Sequence, residues 1–343
     1  MTWQFEHVTL GQRVRFGTGE AAANLALEVE RLGARRVLLI AEETSAAEVV
    51  VSKIDVTARC TDVAPHVPVA NAERARTQAS EVGADLLVSV GGGSTTGLAK
   101  AVALTTGLPI VAVPTTYAGS EATNVWGLTE AARKTTGSDD RVLPVTVIYD
   151  AALTASLPDE LAVASGCNAL AHCVDSMWAP RTDPINQALA VEGIRALRGG
   201  LREITTLDGR EQMLYGAHLS AVAFASAGSG LHHKICHVLG GAYDLPHAQT
   251  HTAILPYVLA FNAPAAPQAA ARITEALGTD LITLYDEVGA SHVLRGVPDV
   301  SEAARLILPS VPPSNPRPVT EDDLAALLNA AQAGQNPTEW SRA

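Results

Sequence analysis

Three nearly unbroken apolar runs in the first half of the chain limit what it can fold into. They are VLLIA within 34–43, LLVSV within 84–94 and PIVAV within 108–116. Each follows a segment of helical periodicity: EAAANLALEVERLG (20–33), NAERARTQASEVG (71–83) and TTGLAKAVALTTG (95–107). A strand that is apolar at every position must be covered on both faces, which is the mark of a parallel sheet between helical layers. VLPVTVIYD (142–150) reads as a last strand of this half. From about Ser156 the character changes. Helical patterns follow one another over 158–178, 183–200, 209–227, 229–240 and 250–260, then on to about 333, broken by the proline-rich PPSNPRP (312–318). The expected fold is an α/β dinucleotide-binding domain over 1–155 and an all-α catalytic domain over 156–343.

The formal net charge of −12 argues against nucleic acid and anionic membranes as partners, because both need a basic surface. No apolar run is long enough to span a bilayer, and MTWQFEHVTLGQRVRFG lacks a signal pattern, so the chain reads as cytoplasmic. Cys60, Cys167, Cys173 and Cys236 form no paired spacing and read as reduced, buried thiols.

SVGGGSTTGLAK (89–100) runs from an apolar strand into a helix. Glycines there admit a ligand close to the backbone, and a helix N-terminus suits a pyrophosphate. Gly92, Gly93 and Ser94 are therefore candidate dinucleotide-phosphate ligands; a tight turn is the other reading of the same residues. PTTYAGSEATNVWGLTE (114–130) offers Thr115, Thr116 and Ser120 at the end of the next strand, either as cofactor ligands or as a capping loop with Ser120 as N-cap. Glu42, closing the first run, is placed to bind a ribose hydroxyl and to repel a 2′-phosphate, which favours NADH over NADPH; a solvated surface Glu is the alternative.

GLHHKICHVLGGAYDLPHAQTH (230–251) holds five of the ten histidines. A helix stopped by Gly240–Gly241 puts His233 and His237 on one face, four residues apart, and His247 follows a turn containing Pro246. In GCNALAHCVDSMWA (166–179), Asn168 and His172 are also four apart. Facing helices with polar pairs suit a metal or proton-transfer site. His172, His233, His237 and His247 are the main candidates; His232 and His251 are weaker ones.

GGGSTTGLAK, PTTYAGSEAT, the 166–179 helix and GLHHKICHVLGGAYDLPH together resemble the iron-containing alcohol dehydrogenase superfamily, whose fold also includes the dehydroquinate synthase type. WGLTE, KTTG, LPVTVIYD, DLPHAQTH and NPRPVT are most similar to its maleylacetate reductase branch. The resemblance implies NADH-dependent reduction of a dicarboxylate enone late in aromatic degradation, NADPH being the other possible donor, by a homodimer. In metal-dependent members an Asp and three His hold the ion. Those positions map here to Asn168, His172, His233 and His247. A neutral amide replaces the carboxylate, so no metal is expected. Hydride addition to the alkene leaves an enolate on the ketone oxygen, which hydrogen-bond donors can stabilise. His172, His233 and His247 are expected to line that pocket as donors. The resemblance puts His237 at the nicotinamide end as the proton donor. The substrate carboxylates call for Lys234, Arg317, Lys134 or Arg141, with Tyr117 and Asn168 as neutral donors. A metal-dependent alcohol or polyol dehydrogenase on the same scaffold is the rival reading, and metal analysis separates the two.

Overall fold

The computed structural model describes residues 4–130 and 133–341 and divides into two compact units. The first comprises Leu10–Leu157 with Thr205–Leu214; the second comprises Pro158–Ile204 and Tyr215 onward, joined by the described residues up to Thr9.

The α/β unit has six parallel strands: β1 (Arg13–Phe16), β2 (Val37–Ile40), β3 (Ala58–Cys60), β4 (Leu86–Gly91), β5 (Ile110–Pro114) and, after a hairpin, β8 (Thr146–Tyr149). Their order is β1-β8-β5-β4-β2-β3. Alternate residues supply the two faces. Val37, Leu39, Val88, Val90, Val111 and Val113 pack against α1 (Ala21–Leu32) and α2 (Ser45–Val51). Leu38, Ile40, Leu87 and Ala112 pack against α3 (Val69–Glu81) and α4 (Gly93–Thr106). The apolar runs are continuous because both faces are dry. From β2 the chain passes outward to β3 and then returns to β4 on β2's other side, so the order reverses between β2 and β4. That reversal opens a crevice at the strands' carboxyl ends, where such sheets bind ligands.

β6 (Val125–Glu130) and β7 (Arg133–Ser138) form an antiparallel pair apart from the sheet. The loop expected over 114–130 is thus partly strand; residues half-buried on both faces leave little period-2 contrast in the sequence. A second difference lies after Gly119. With φ 77°, Gly119 precedes a short 3-10 turn over Ser120–Ala122 and holds the capping position itself, so Ser120 is not the N-cap.

The second unit is helical: α5 (Asp159–Ser176), α6 (Pro184–Arg202), α7 (Leu207–Ala227, whose start belongs to the α/β unit), α8 (Leu231–Tyr243), α9 (His247–Asn262), α10 (Pro267–Leu277), α11 (Leu281–Val288), α12 (Val300–Ile307), α13 (Glu321–Ala333) and α14 (Pro337–Trp340). α8 does not stop at Gly240–Gly241. It runs through both and ends at Asp244, which is left-handed with φ 51°. Interior glycine costs only about 1 kcal/mol relative to alanine, and Pro246 enforces the stop. Among the described residues no helix is long and apolar enough to cross a membrane.

Candidate functional site

Parallel β2, β4 and β5 deliver Glu42, Gly92–Ser94 and Thr115–Thr116 to one edge of the sheet. Gly92 caps α4 through its backbone, with no side chain closing the turn. A Cβ at Gly92 would stand 3.1 Å from Thr116 Cγ2 and one at Gly93 3.3 Å from Ala118 Cβ, so the turn is too tight for side chains there. The Thr115 N–H donates to the Gly91 carbonyl at 3.0 Å and ties the two loops together. The uncapped N-terminus of a 14-residue helix beside this turn fits a dinucleotide phosphate. Glu42 is exposed and lines a cleft of about 580 Å³ with Ala41, Thr44, Glu48, Arg59 and Thr61 at the ends of β2 and β3. Ser120 is half-buried. Tyr117 is placed otherwise than as an open donor: it is fully buried and its hydroxyl donates to Thr154 Oγ1 at 3.2 Å.

In the helical unit, α5, α8 and α9 gather six imidazoles in two layers. His172, His232, His233 and His251 are buried; His237 and His247 are exposed. His172 stacks on His233 with centroids 4.7 Å apart and planes at 12°. His232 Nε2 lies 3.0 Å from His251 Nδ1, and the His251 ring is 4.3 Å from that of His247. His237 stands 5.9 Å from His233 and 6.3 Å from His247. The four main candidates thus belong to one cluster, and His232 and His251 complete its floor.

Burial sets the electrostatics. It pushes His172 and His232 down to about 3, with neighbouring imidazoles adding to the effect, and drives His233 and His251 well below their ordinary value. The floor is therefore neutral imidazole at physiological pH. Asp175, absent from the candidates above, is fully buried beside it, with Oδ2 2.8 Å from His233 Nδ1. Burial pushes Asp175 up to about 7, opposed by backbone N–H bonds and the nearby Lys234 charge. Its signal in the sequence is its spacing, seven residues beyond Asn168 and three beyond His172 on an otherwise apolar helix.

The donor set does not match an Asp-and-three-His metal centre. Asn168 is buried with Oδ1 unpartnered among the described residues, and it brings no charge. Among the described residues, the three His, Cys or carboxylate ligands that lie within 4.8 Å of one another are His232, Cys236 and His251, not His172, His233 and His247. Those three are already joined by the His232–His251 contact and a 3.7 Å contact from Cys236 Sγ to His232 Nε2. Among the described residues the outer nitrogens His232 Nδ1 and His251 Nε2 have no hydrogen-bond partner of the kind that orients metal-bound imidazoles.

Among the cationic candidates with described side chains, Lys234, half-buried on α8, sits beside the cluster. Arg317 does not. Its guanidinium pairs with Asp323 at 3.0 Å and lies 4.1 Å over the Phe261 ring. Phe261 is near the far end of α9 from His247, about 20 Å along the helix. Arg141 is held by Asp139 at 2.7 Å, and the Lys134 side chain lies outside the described residues.

A doubly covered parallel sheet with an uncapped glycine turn, and a helical unit with a layered imidazole cluster, are the make-up of an oxidoreductase of the alcohol dehydrogenase kind. The chain belongs to the iron-containing alcohol dehydrogenase family: the model described as iron-containing alcohol dehydrogenase matches residues 11–151, and that of the Fe-containing alcohol dehydrogenase family, C-terminal, matches 162–332. It is therefore an oxidoreductase. It is 43% identical to a maleylacetate reductase of Sphingobium indicum, over 97% of this chain and 99% of that one. A solved iron-containing alcohol dehydrogenase from Corynebacterium glutamicum superposes with a TM-score of 0.97 at 56% identity, covering 99% and 100% of the two chains. Maleylacetate reductase from Rhizobium sp. superposes with a TM-score of 0.90 at 40% identity, covering 98% and 100%.

Proposed function

We propose that this chain uses NADH to reduce the alkene of maleylacetate, giving 3-oxoadipate, and that it does so without a metal. The observation that carries this reading is the near-full-length similarity to maleylacetate reductases. The metal-free part rests on Asn168 standing where a carboxylate ligand would be needed.

The substrate explains why a Lewis acid is dispensable. Its alkene is conjugated to a ketone, so hydride added to the alkene carbon remote from the ketone sends the electron pair onto the ketone oxygen as an enolate. A proton then goes to the carbon beside the ketone. One hydride and one proton are consumed, and NAD⁺ leaves. Neutral N–H donors can hold the enolate oxygen. His172 and the Asn168 amide, both buried, are the donors to that oxygen in this reading. His237, exposed at the rim, is the proton donor, with His247 beside it. Lys234 supplies positive charge for a substrate carboxylate. Gly92, Gly93, Ser94, Thr115, Thr116 and Ser120 bind the cofactor, and Glu42 takes the ribose hydroxyls and favours NADH. The same reading carries the homodimer and a place late in aromatic degradation.

Isotope placement tests the reaction. With NADH deuterated at the transferred position, deuterium is expected on the carbon remote from the ketone, and solvent hydrogen on the carbon beside it. A product carrying a hydroxyl where the ketone was would mean carbonyl reduction instead.

A further inference from the structure

Asp175 is a buried carboxylate with no part in the roles above. It sits on α5 and reaches across to the start of α8. Its Oδ2 accepts from the backbone N–H of Gly230 at 2.8 Å and from that of His233 at 3.4 Å, and lies 2.8 Å from His233 Nδ1. Gly230 admits the carboxylate. A Cβ there would stand 2.8 Å from the Asp175 carboxyl carbon and overlap Oδ1. This contact depends on a missing side chain.

We propose that Asp175 is a positioning residue that fixes His233 as the tautomer with its proton on Nδ1 and a bare lone pair on Nε2. The lone pairs of Oδ2 already face two backbone N–H groups. A proton on Oδ2 would displace one of them; a proton on Oδ1 leaves Oδ2 still an acceptor. In both protonation states of Asp175, the hydrogen between the two side chains therefore belongs to Nδ1. A neutral imidazole has one N–H, so Nε2 is an acceptor. Nε2 is buried without a partner among the described residues, in a ring stacked on His172 and 4.3 Å from the Phe224 ring centroid.

On the proposed reaction, this assigns different parts to the histidines. His233 cannot donate to the developing enolate. It offers a lone pair to a donor that enters the pocket, and the donors to the enolate are His172, Asn168 and the rim. This differs from the sequence-based expectation that His172, His233 and His247 all donate. Losing the Asp175 carboxylate frees His233 to take the other tautomer, as happens when an orienting Asp becomes Asn in other histidine sites.

The first test needs no substrate. Nitrogen-15 NMR of histidine-labelled wild-type protein, with His233 assigned by sequential backbone experiments, is expected to show Nδ1 protonated and Nε2 bare. An Nε2–H tautomer in the wild type overturns the proposal. The second test is Asp175→Asn assayed with NADH and maleylacetate. Turnover is expected to fall roughly ten- to hundredfold, with KM for maleylacetate and NADH affinity within about threefold and the NADH-binding stoichiometry unchanged from the wild type, which excludes loss of folded enzyme as the cause. Gly230→Ala, which keeps the carboxylate but presses it away, should move turnover and tautomer in the same direction to a smaller extent. Unchanged turnover in Asp175→Asn overturns the proposal. If the wild type itself does not turn over maleylacetate, the functional reading fails, and the NMR result still decides the tautomer.

Discussion

The two units build their candidate sites from opposite materials. In the α/β unit the work falls to the backbone: glycines without side chains, an uncapped helix end and strand ends brought to one edge. In the helical unit it falls to side chains, six imidazoles with an amide and a carboxylate, most of them buried. A backbone site is tolerant of pH and sensitive to added bulk. A buried imidazole site is the reverse, since its four buried rings stay neutral below their ordinary pKa only because burial disfavours the charge.

Acid should separate the units most strongly. Burial holds His172 and His232 at about 3 against an ordinary 6.5, and holds His233 and His251 well below that ordinary value. Between pH 6.5 and about 4 the unfolded chain binds these protons and the native one does not. Each therefore removes about 1.4 kcal/mol of stability per pH unit as pH falls. Asp175, raised from 3.8 to about 7, acts with the opposite sign over nearly the same range, because its native form binds the extra proton. The net effect is loss of stability below pH 6.5. In the α/β unit, buried Lys100 is lowered to about 7, so its linkage falls above neutrality, and Glu121 is raised, so acid favours its native form. Amide protection factors, taken relative to the intrinsic exchange rate at each pH, should fall in α5, α8 and α9 between pH 6.5 and 5, while those of β4 and β5 hold. An equal fall in both units would remove the contrast.

Substitutions come next. His237→Gln should cut turnover about 10²- to 10⁴-fold, the usual contribution of a general acid, with NADH binding unchanged by fluorescence titration. Near-normal turnover would remove His237 from its role. Asn168→Asp should raise Zn²⁺ affinity by calorimetry and lower kcat/KM for maleylacetate at least tenfold, since like charges placed together cost on the order of several kcal/mol. No change in either quantity would break the link between Asn168 and metal rejection. Gly92→Val should weaken NADH about tenfold, close to 1.4 kcal/mol, and leave the histidine cluster's NMR signals in place. The smallest effect is expected at Glu42→Gln, a few-fold loss of preference for NADH over NADPH, equivalent to about 1 kcal/mol.

What the sequence reveals divides along the same line. The inner strands β2, β4 and β5 are visible because double burial writes itself as an apolar run. β1 (RVRF) and β3 (ARC) are short edge strands whose mixed residues leave no such mark. The glycine turn is legible because it is local in the chain. The histidine cluster is only half legible: four-residue spacing finds His233 with His237 and Asn168 with His172. His232, adjacent to His233 and on another face of α8, is reached only because His251 approaches it from α9. Asp175 becomes a partner of His233 through a contact spanning 58 residues. Arg317 is the converse case. Its NPRP setting is suggestive, but its partner Asp323 lies six residues on and holds it at the far end of α9.

The central claim is that this donor set reduces an enone without a metal. The most direct test is NADH oxidation by enzyme dialysed against EDTA, with maleylacetate in one assay and a simple aldehyde in the other. Rapid turnover of maleylacetate alone, unchanged by added Fe²⁺ or Zn²⁺, is the expected result. Activity on the aldehyde alone, returning only when Fe²⁺ or Zn²⁺ is restored, would contradict it and make the histidine cluster a metal site despite Asn168.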